Sequence, residues 1–186
     1  MNEEETKTGL IGGIERRAIE IVDHEPRWRE IFATHARIIA AALGDAALRV
    51  EHIGSTSVPG LAAKPIVDML LVVADSANEA SYLPGLEAAG YVLRVREPGF
   101  HEHRMFRTPA RDVHIHVFSP GSPEIERYLT FRDRLRRSSR DRQLYEETKR
   151  RLAAQPWPDM NAYADAKTQV VEGIIAAARA AGEAVR

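Results

Sequence analysis

The sequence predicts an α+β fold, a mixed β-sheet with helices packed on it, and three observations carry that prediction. Five short runs of alternating or continuous apolar residues lie between positions 48 and 118, with one helical pattern inserted among them. A helical pattern precedes the first run, and everything after Pro120 has helical periodicity. Strands gathered in one part of the chain and helices in another call for a layered sheet with helices on it.

Taken in order, residues 1–17 are polar, acidic at the start and Gly-containing through Gly12 and Gly13, and read as a flexible tail. Residues 18–181 then read as a single domain. Ile19-Glu20-Ile21 alternates like a short strand. After Pro26, residues Trp28, Ile31, Phe32, His35, Ile38, Ile39, Ala42 and Leu43 share one helical face, and Gly44 supplies the stop. Residues 48–53 form a strand that runs into the small-residue turn Gly54-Ser55-Thr56-Ser57-Val58-Pro59-Gly60, and 65–73 form a second strand, apolar enough to be buried on both faces. A helix is expected over 76–89, kinked at Pro84 and ended by Gly90. Residues 91–95, 104–108 and 113–118 read as three more strands in an antiparallel meander, separated by Pro98-Gly99 and Pro109. Ser122-Pro123-Glu124 gives a cap, a first-turn proline and a first-turn acid for a helix toward Arg137. A second helix covers 139–153, Pro156-Trp157-Pro158 breaks the chain, and Asp159 caps a last one.

Composition narrows the function classes. A chain of 186 residues with 44% hydrophobic and 28% charged residues can bury one core, and a net charge of −1 gives no global field for nucleic acid or anionic lipid. Without cysteine there is no disulfide, thiolate nucleophile or cysteine zinc site. No apolar run has the length of a membrane span and the N-terminus is acidic, so the expectation is a cytoplasmic protein with no membrane partner. From Arg127 to Arg151 there are ten Arg or Lys against four acids. A solvated helical face accounts for such a run, and an anionic ligand or RNA is the alternative that it leaves open.

The stretch richest in chemistry runs from Glu51 to Asp68. A strand ending in Gly54-Ser55 lets a phosphate approach a backbone that lacks a Cβ and offers it a hydroxyl and free N–H donors, while Lys64 adds a mobile positive charge. A structural turn has the same composition. Asp68 sits inside the apolar run Ile66-Val67-Asp68-Met69-Leu70-Leu71, where a carboxylate needs a metal or strong donors. On a strand, His114 and His116 point to one face about 7 Å apart, at roughly 3.3 Å per residue, within reach of one metal ion. A solvent-facing strand tolerates the same pair. His101-Glu102-His103 falls in an expected loop, as a mobile lid or a ligand set.

These residues carry a family resemblance. The run Glu51-His52-Ile53-Gly54-Ser55-Thr56-Ser57-Val58-Pro59-Gly60-Leu61-Ala62-Ala63-Lys64-Pro65-Ile66-Val67-Asp68 resembles the signature of the GrpB family of the nucleotidyltransferase-like superfamily. Trp28, Gly90-Tyr91, His114-Ile115-His116-Val117, the run Phe131 to Arg136, Tyr145 with Lys149, and Tyr163 with Lys167 agree with it. Similar domains occur fused to dephospho-CoA kinase.

The resemblance implies a nucleotidyltransferase-like mixed sheet and a nucleotide or another phosphorylated small molecule as ligand. It implies Gly54 and Ser55 as the phosphate turn and Asp68 as the first catalytic acid. Beside them, the residues themselves offer Glu51 as a second catalytic acid and Thr56, Lys64 and Arg132 as further phosphate binders. Asp68, His114 and His116 would be ligands for Mg²⁺, Mn²⁺ or Zn²⁺, and Arg132 and Lys149 would close the pocket. The superfamily pattern has a second acid two residues after the first and a third on a later strand. Here those places hold Leu70 and the histidines, a poor Mg²⁺ set but one open to a softer ion. Three readings stand: metal-dependent nucleotidyl transfer, a non-catalytic binding or accessory module that has lost the metal, and a metal-dependent phosphohydrolase. The oligomeric state is left open.

Overall fold

A computed structural model describes residues 9–13 and 18–183. Its elements are α1 (Arg27–Leu43), β1 (Arg49–Ile53), β2 (Val67–Val72), α2 (Leu83–Ala88), β3 (Val92–Glu97), β4 (His103–Arg107), β5 (Val113–Phe118), α3 (Pro123–Arg137), α4 (Ser139–Ala153), α5 (Met160–Asp165) and α6 (Thr168–Ala180). The strands form one sheet in the order β1-β2-β5-β4-β3. Only β2 and β5 run parallel, so the sheet is mixed and its three last strands are the expected meander.

Period-two alternation gives the sheet two different faces. On one, Met69, Leu71, Ile115, Val117 and Phe106 join Trp28 and Ile39 of α1 and Leu86 of α2 in the main core. The opposite face is apolar at one end, where Ile53, Leu70, Val72 and Phe118 meet Leu129 of α3. At its other end the same face carries Asp68, His114 and His116. A third cluster, built from Val58, Leu61, Leu135, Tyr145 and Ile174, fastens the helical C-terminal third to the Gly54 turn.

Several local expectations need correction. Residues 9–13 are no tail: Leu10 bridges Val95, Ile11 donates its N–H to Arg94 O at 2.8 Å, and Arg96 donates to Gly9 O at 2.8 Å, which covers the β3 edge. The rest of the expected tail, residues 1–8 and 14–17, lies outside the described residues. Ile19 to Ile21 form no strand. Among the described residues the only pairing there is the bridge of Val22 to Ala63. The helix expected over 76–89 is a 3₁₀ turn at Glu79–Ser81 followed by α2, with Pro84 in its first turn instead of at a kink. Proline belongs there, where its missing N–H has no intrahelical partner to lose. Ser122 does not cap α3 with its side chain, whereas Asp159 does cap α5, accepting from the N–H groups of Asn161 and Ala162 at 2.9 Å each. The expected last helix is divided into α5 and α6.

Candidate functional site

β1 and β2 are antiparallel with Ile53 opposite Asp68, so the turn that follows β1 arrives beside the Asp68 carboxylate. Gly54 there has φ +68° and ψ −175°, a region that side chains disfavour, and the following residues coil into the 3₁₀ turn Ser55–Ser57. Ser57 Oγ donates to Gly54 O at 2.6 Å, and Arg136 of α3 donates to Ser57 O at 2.8 and 3.1 Å. The turn is thus clamped from both sides.

Parallel pairing sets His114 beside Asp68 and His116 beside Leu70. His114 Nδ1 lies 3.6 Å and His116 Nε2 3.9 Å from Asp68 Oδ1, too far for hydrogen bonds. Burial alone would raise the Asp68 carboxyl, but the facing imidazoles outweigh it and hold the group well below the usual carboxylate range.

Across from this acid lie three lysines. Lys149 of α4, 2% exposed, donates to Ser55 Oγ at 3.0 Å and to Ala62 O, and stands 4.7 Å from the Tyr145 ring centre. Lys64 and Lys167 stand 5.2 and 4.6 Å from the Tyr163 ring centre. Burial, then the charge of its fellow lysines, lowers Lys149 to about 7, partly offset by Glu146. Burial and Lys64 lower Lys167 to about 8. Tyr163 is fully buried and its hydroxyl has no hydrogen-bond partner among the described residues. All these groups line one cavity of about 530 Å³, together with Gly54, Ser55, Asp68, His114 and His116. Its charged lining is mostly cationic, with Arg94, Arg107, Arg111 and Arg127 added to the lysines against Asp68, Asp159 and Asp165.

Other predicted residues lie elsewhere. Thr56 is buried, with Oγ1 3.1 Å from His52 Nε2, and does not line the cavity. Glu51 shares the sheet face of Asp68 but is engaged by Arg49 at 2.9 Å and Arg132 at 2.7 Å. Arg132, 4% exposed, also donates to Asp133 at 2.7 Å and to His52 O. Glu51 and Arg132 therefore form an internal brace outside the cavity. Much of the Arg-rich segment is likewise engaged internally, as in Arg134 with Asp141 and Glu183, and Arg150 with Asp23 and Glu146.

Leu70, where a second acid would stand, is fully buried in the apolar cluster. One carboxylate with imidazoles is not a two-metal Mg²⁺ centre. Among the described residues no group of three or more His, Asp or Glu has the arrangement of a formed metal centre.

The sequence left Tyr163 and Lys167 without a role. Their signal was a spacing: Tyr145 and Lys149, like Tyr163 and Lys167, are four residues apart, which on a helix sets an ammonium over a ring.

The mixed sheet with helices packed on it recurs in solved structures. A chain in the structure of the GLD-2/RNP-8 complex shares this fold with a TM-score of 0.51 at 13% identity, over 83% of this chain and 58% of that one. The chain belongs to the GrpB family, whose model, described as GrpB protein, matches residues 18–177. A UPF0157 protein of Streptomyces coelicolor is 54% identical over 176 residues, covering 95% of this chain and 92% of that protein. The crystal structure of conserved protein GrpB from Enterococcus faecalis superposes with a TM-score of 0.77 at 33% identity, over 86% of this chain and 96% of that one. No helix among the described residues is long and apolar enough to cross a membrane.

Proposed function

We propose that the cavity binds a nucleotide or another phosphorylated small molecule, its phosphates held by Lys64, Lys149, Lys167 and Ser55 opposite Asp68. The observation that carries this reading is the gathering of three ammonium groups from separate segments around one cavity, at the cost of lowering two of them. Like charges crowd in this way when an anion is to be held between them. The Tyr163 hydroxyl, without a partner among the described residues, offers one more donor to such a ligand.

Asp68, His114 and His116 form a wall that would favour a softer divalent cation such as Mn²⁺ or Zn²⁺ over Mg²⁺. The buried Leu70 favours binding without transfer, while Asp68, at the first acid position beside the Gly-Ser turn, favours metal-dependent nucleotidyl transfer as the second reading.

A thermal-shift screen separates them. Wild type, Asp68→Ala and Lys149→Gln are heated with nucleotides and CoA precursors, each with Mg²⁺, Mn²⁺, Zn²⁺ or chelator. A ligand at 100 times its Kd adds about 2.7 kcal/mol. Stabilisation lost in Lys149→Gln supports phosphate binding, and a metal-dependent part lost in Asp68→Ala supports transfer chemistry. No shift with any compound overturns both.

A further inference from the structure

Behind His116 stands a chain of polar groups that the cavity itself does not use. His103, the first residue of β4, is buried between β3 and β5, and the β3–β4 register sets Glu97 opposite it. Its Nδ1 lies 2.7 Å from Glu97 Oε2 and its Nε2 lies 3.0 Å from His116 Nδ1. The planes of the two imidazoles differ by only 11° with ring centres 5.2 Å apart, so the hydrogen bond can lie in both ring planes, and the His103 ring also lies against Phe118, 4.8 Å between centres. The sequence had placed His103 in a loop, where no such role could be read.

Proton counting then fixes the chain. An ionised Glu97 has no proton to give, so His103 Nδ1 is the donor in that bond. A neutral imidazole has one N–H, so His103 Nε2 must accept, and the proton between the rings sits on His116 Nδ1. A second proton on His103 would reverse the last bond, and burial of the ring opposes it although Glu97 favours it.

We propose that Glu97 and His103 are positioning residues, which hold His116 in the Nδ1–H tautomer and aim its Nε2 lone pair across the cavity at Asp68. That nitrogen faces Asp68 Oδ1 at 3.9 Å, beyond a direct hydrogen bond, so a proton or cation taken up there is shared between imidazole and carboxylate. The same arrangement, a carboxylate behind a histidine, fixes the ring and its basicity at metal sites. What the lone pair does for a ligand rests on the function proposed above. The tautomer does not.

The test reads the tautomer directly, from ring ¹⁵N–¹H correlations of ¹⁵N-histidine-labelled protein at about pH 8, where model histidine is neutral. Wild type should show His116 protonated on Nδ1. His103→Phe keeps a ring against Phe118 but cannot accept a proton, and should convert His116 to the Nε2–H form or a mixture. His103→Gln, whose amide oxygen can accept, should restore Nδ1–H. Should His103→Phe fail to fold, Glu97→Leu at the more exposed end of the chain should give the mixture. An Nε2–H form in wild type, or Nδ1–H retained in a folded His103→Phe or Glu97→Leu, overturns the assignment. Titration with Zn²⁺ alone gives the second readout, with affinity about 10–100-fold weaker in His103→Phe than in wild type. A wild type that shows the Nδ1–H tautomer yet binds no Zn²⁺ supports the positioning role and overturns the cation part of the proposed function.

Discussion

The Gly54 backbone and the Asp68 carboxylate approach so closely that no side chain fits between them: a Cβ at position 54 would lie 2.5 Å from Asp68 Oδ2 and 3.0 Å from Asp68 Cβ. Gly54→Ala therefore meets both a steric and a conformational barrier, since φ there is +68°. The expected cost is about 1–3 kcal/mol by chemical denaturation. In an Asp68→Ala background the closest contact is gone, so the same substitution should cost less. Additive costs would show that the contact does not determine the glycine.

Anion binding should strengthen as pH falls through 7. Lys149 is held at about 7 and Lys167 at about 8, so each gains its proton and its attraction for phosphate over that range. Affinity for inorganic phosphate or pyrophosphate, measured by calorimetry, should be higher at pH 6 than at pH 8.5, with proton uptake on binding between them. Lys149→Gln should flatten the profile. The stability of the unliganded protein should run the opposite way. An unfolded lysine stays protonated to about 10.4, so between pH 7 and that value the unfolded chain binds more protons, and this contribution rises with pH.

Tyr163→Phe removes a buried hydroxyl that has no hydrogen-bond partner among the described residues. The unliganded protein should be unchanged or up to about 1–3 kcal/mol more stable, the range of an unsatisfied polar group. Binding of a phosphorylated ligand should weaken. A loss of unliganded stability would show that the hydroxyl contributes to the fold.

Arg132 and Glu51 separate structure from function. Arg132→Leu leaves Asp133, 8% exposed at its side chain, and Glu51 without their shared cation, and should destabilise by about 3–5 kcal/mol. Glu51→Gln, at a less buried carboxylate, should cost about 1 kcal/mol and leave phosphate affinity unchanged. A large affinity loss in a stable Glu51→Gln protein would return Glu51 to the site.

Strands and long helices were legible because their signals are local. The alternation at 113–118 and the Ser139–Ala153 periodicity gave the observed bounds of β5 and α4. The Asp68 anomaly pointed at the cavity because an acid in an apolar strand needs partners wherever the chain supplies them. What failed depended on distant contacts. Residues 9–13 look like a tail until β3 offers a free edge, and Ile19 to Ile21 alternate without meeting a partner strand. Thr56 and Arg132 have the chemistry of phosphate binders but are engaged by His52, Glu51 and Asp133. Lys167 sits at the break between α5 and α6, which the periodicity of one continuous helix does not encode.

The three cavity lysines come from the loop before β2, from α4 and from the junction of α5 with α6, so the sheet and the helical third meet along a seam of like charge. Ammonium repulsion pushes that seam apart, and an anion seated among the lysines would act as its keystone. Occupancy of a single small cavity would then tune the stiffness of the whole C-terminal third. Slower amide exchange in α4, α5 and α6 on ligand addition would be its signature.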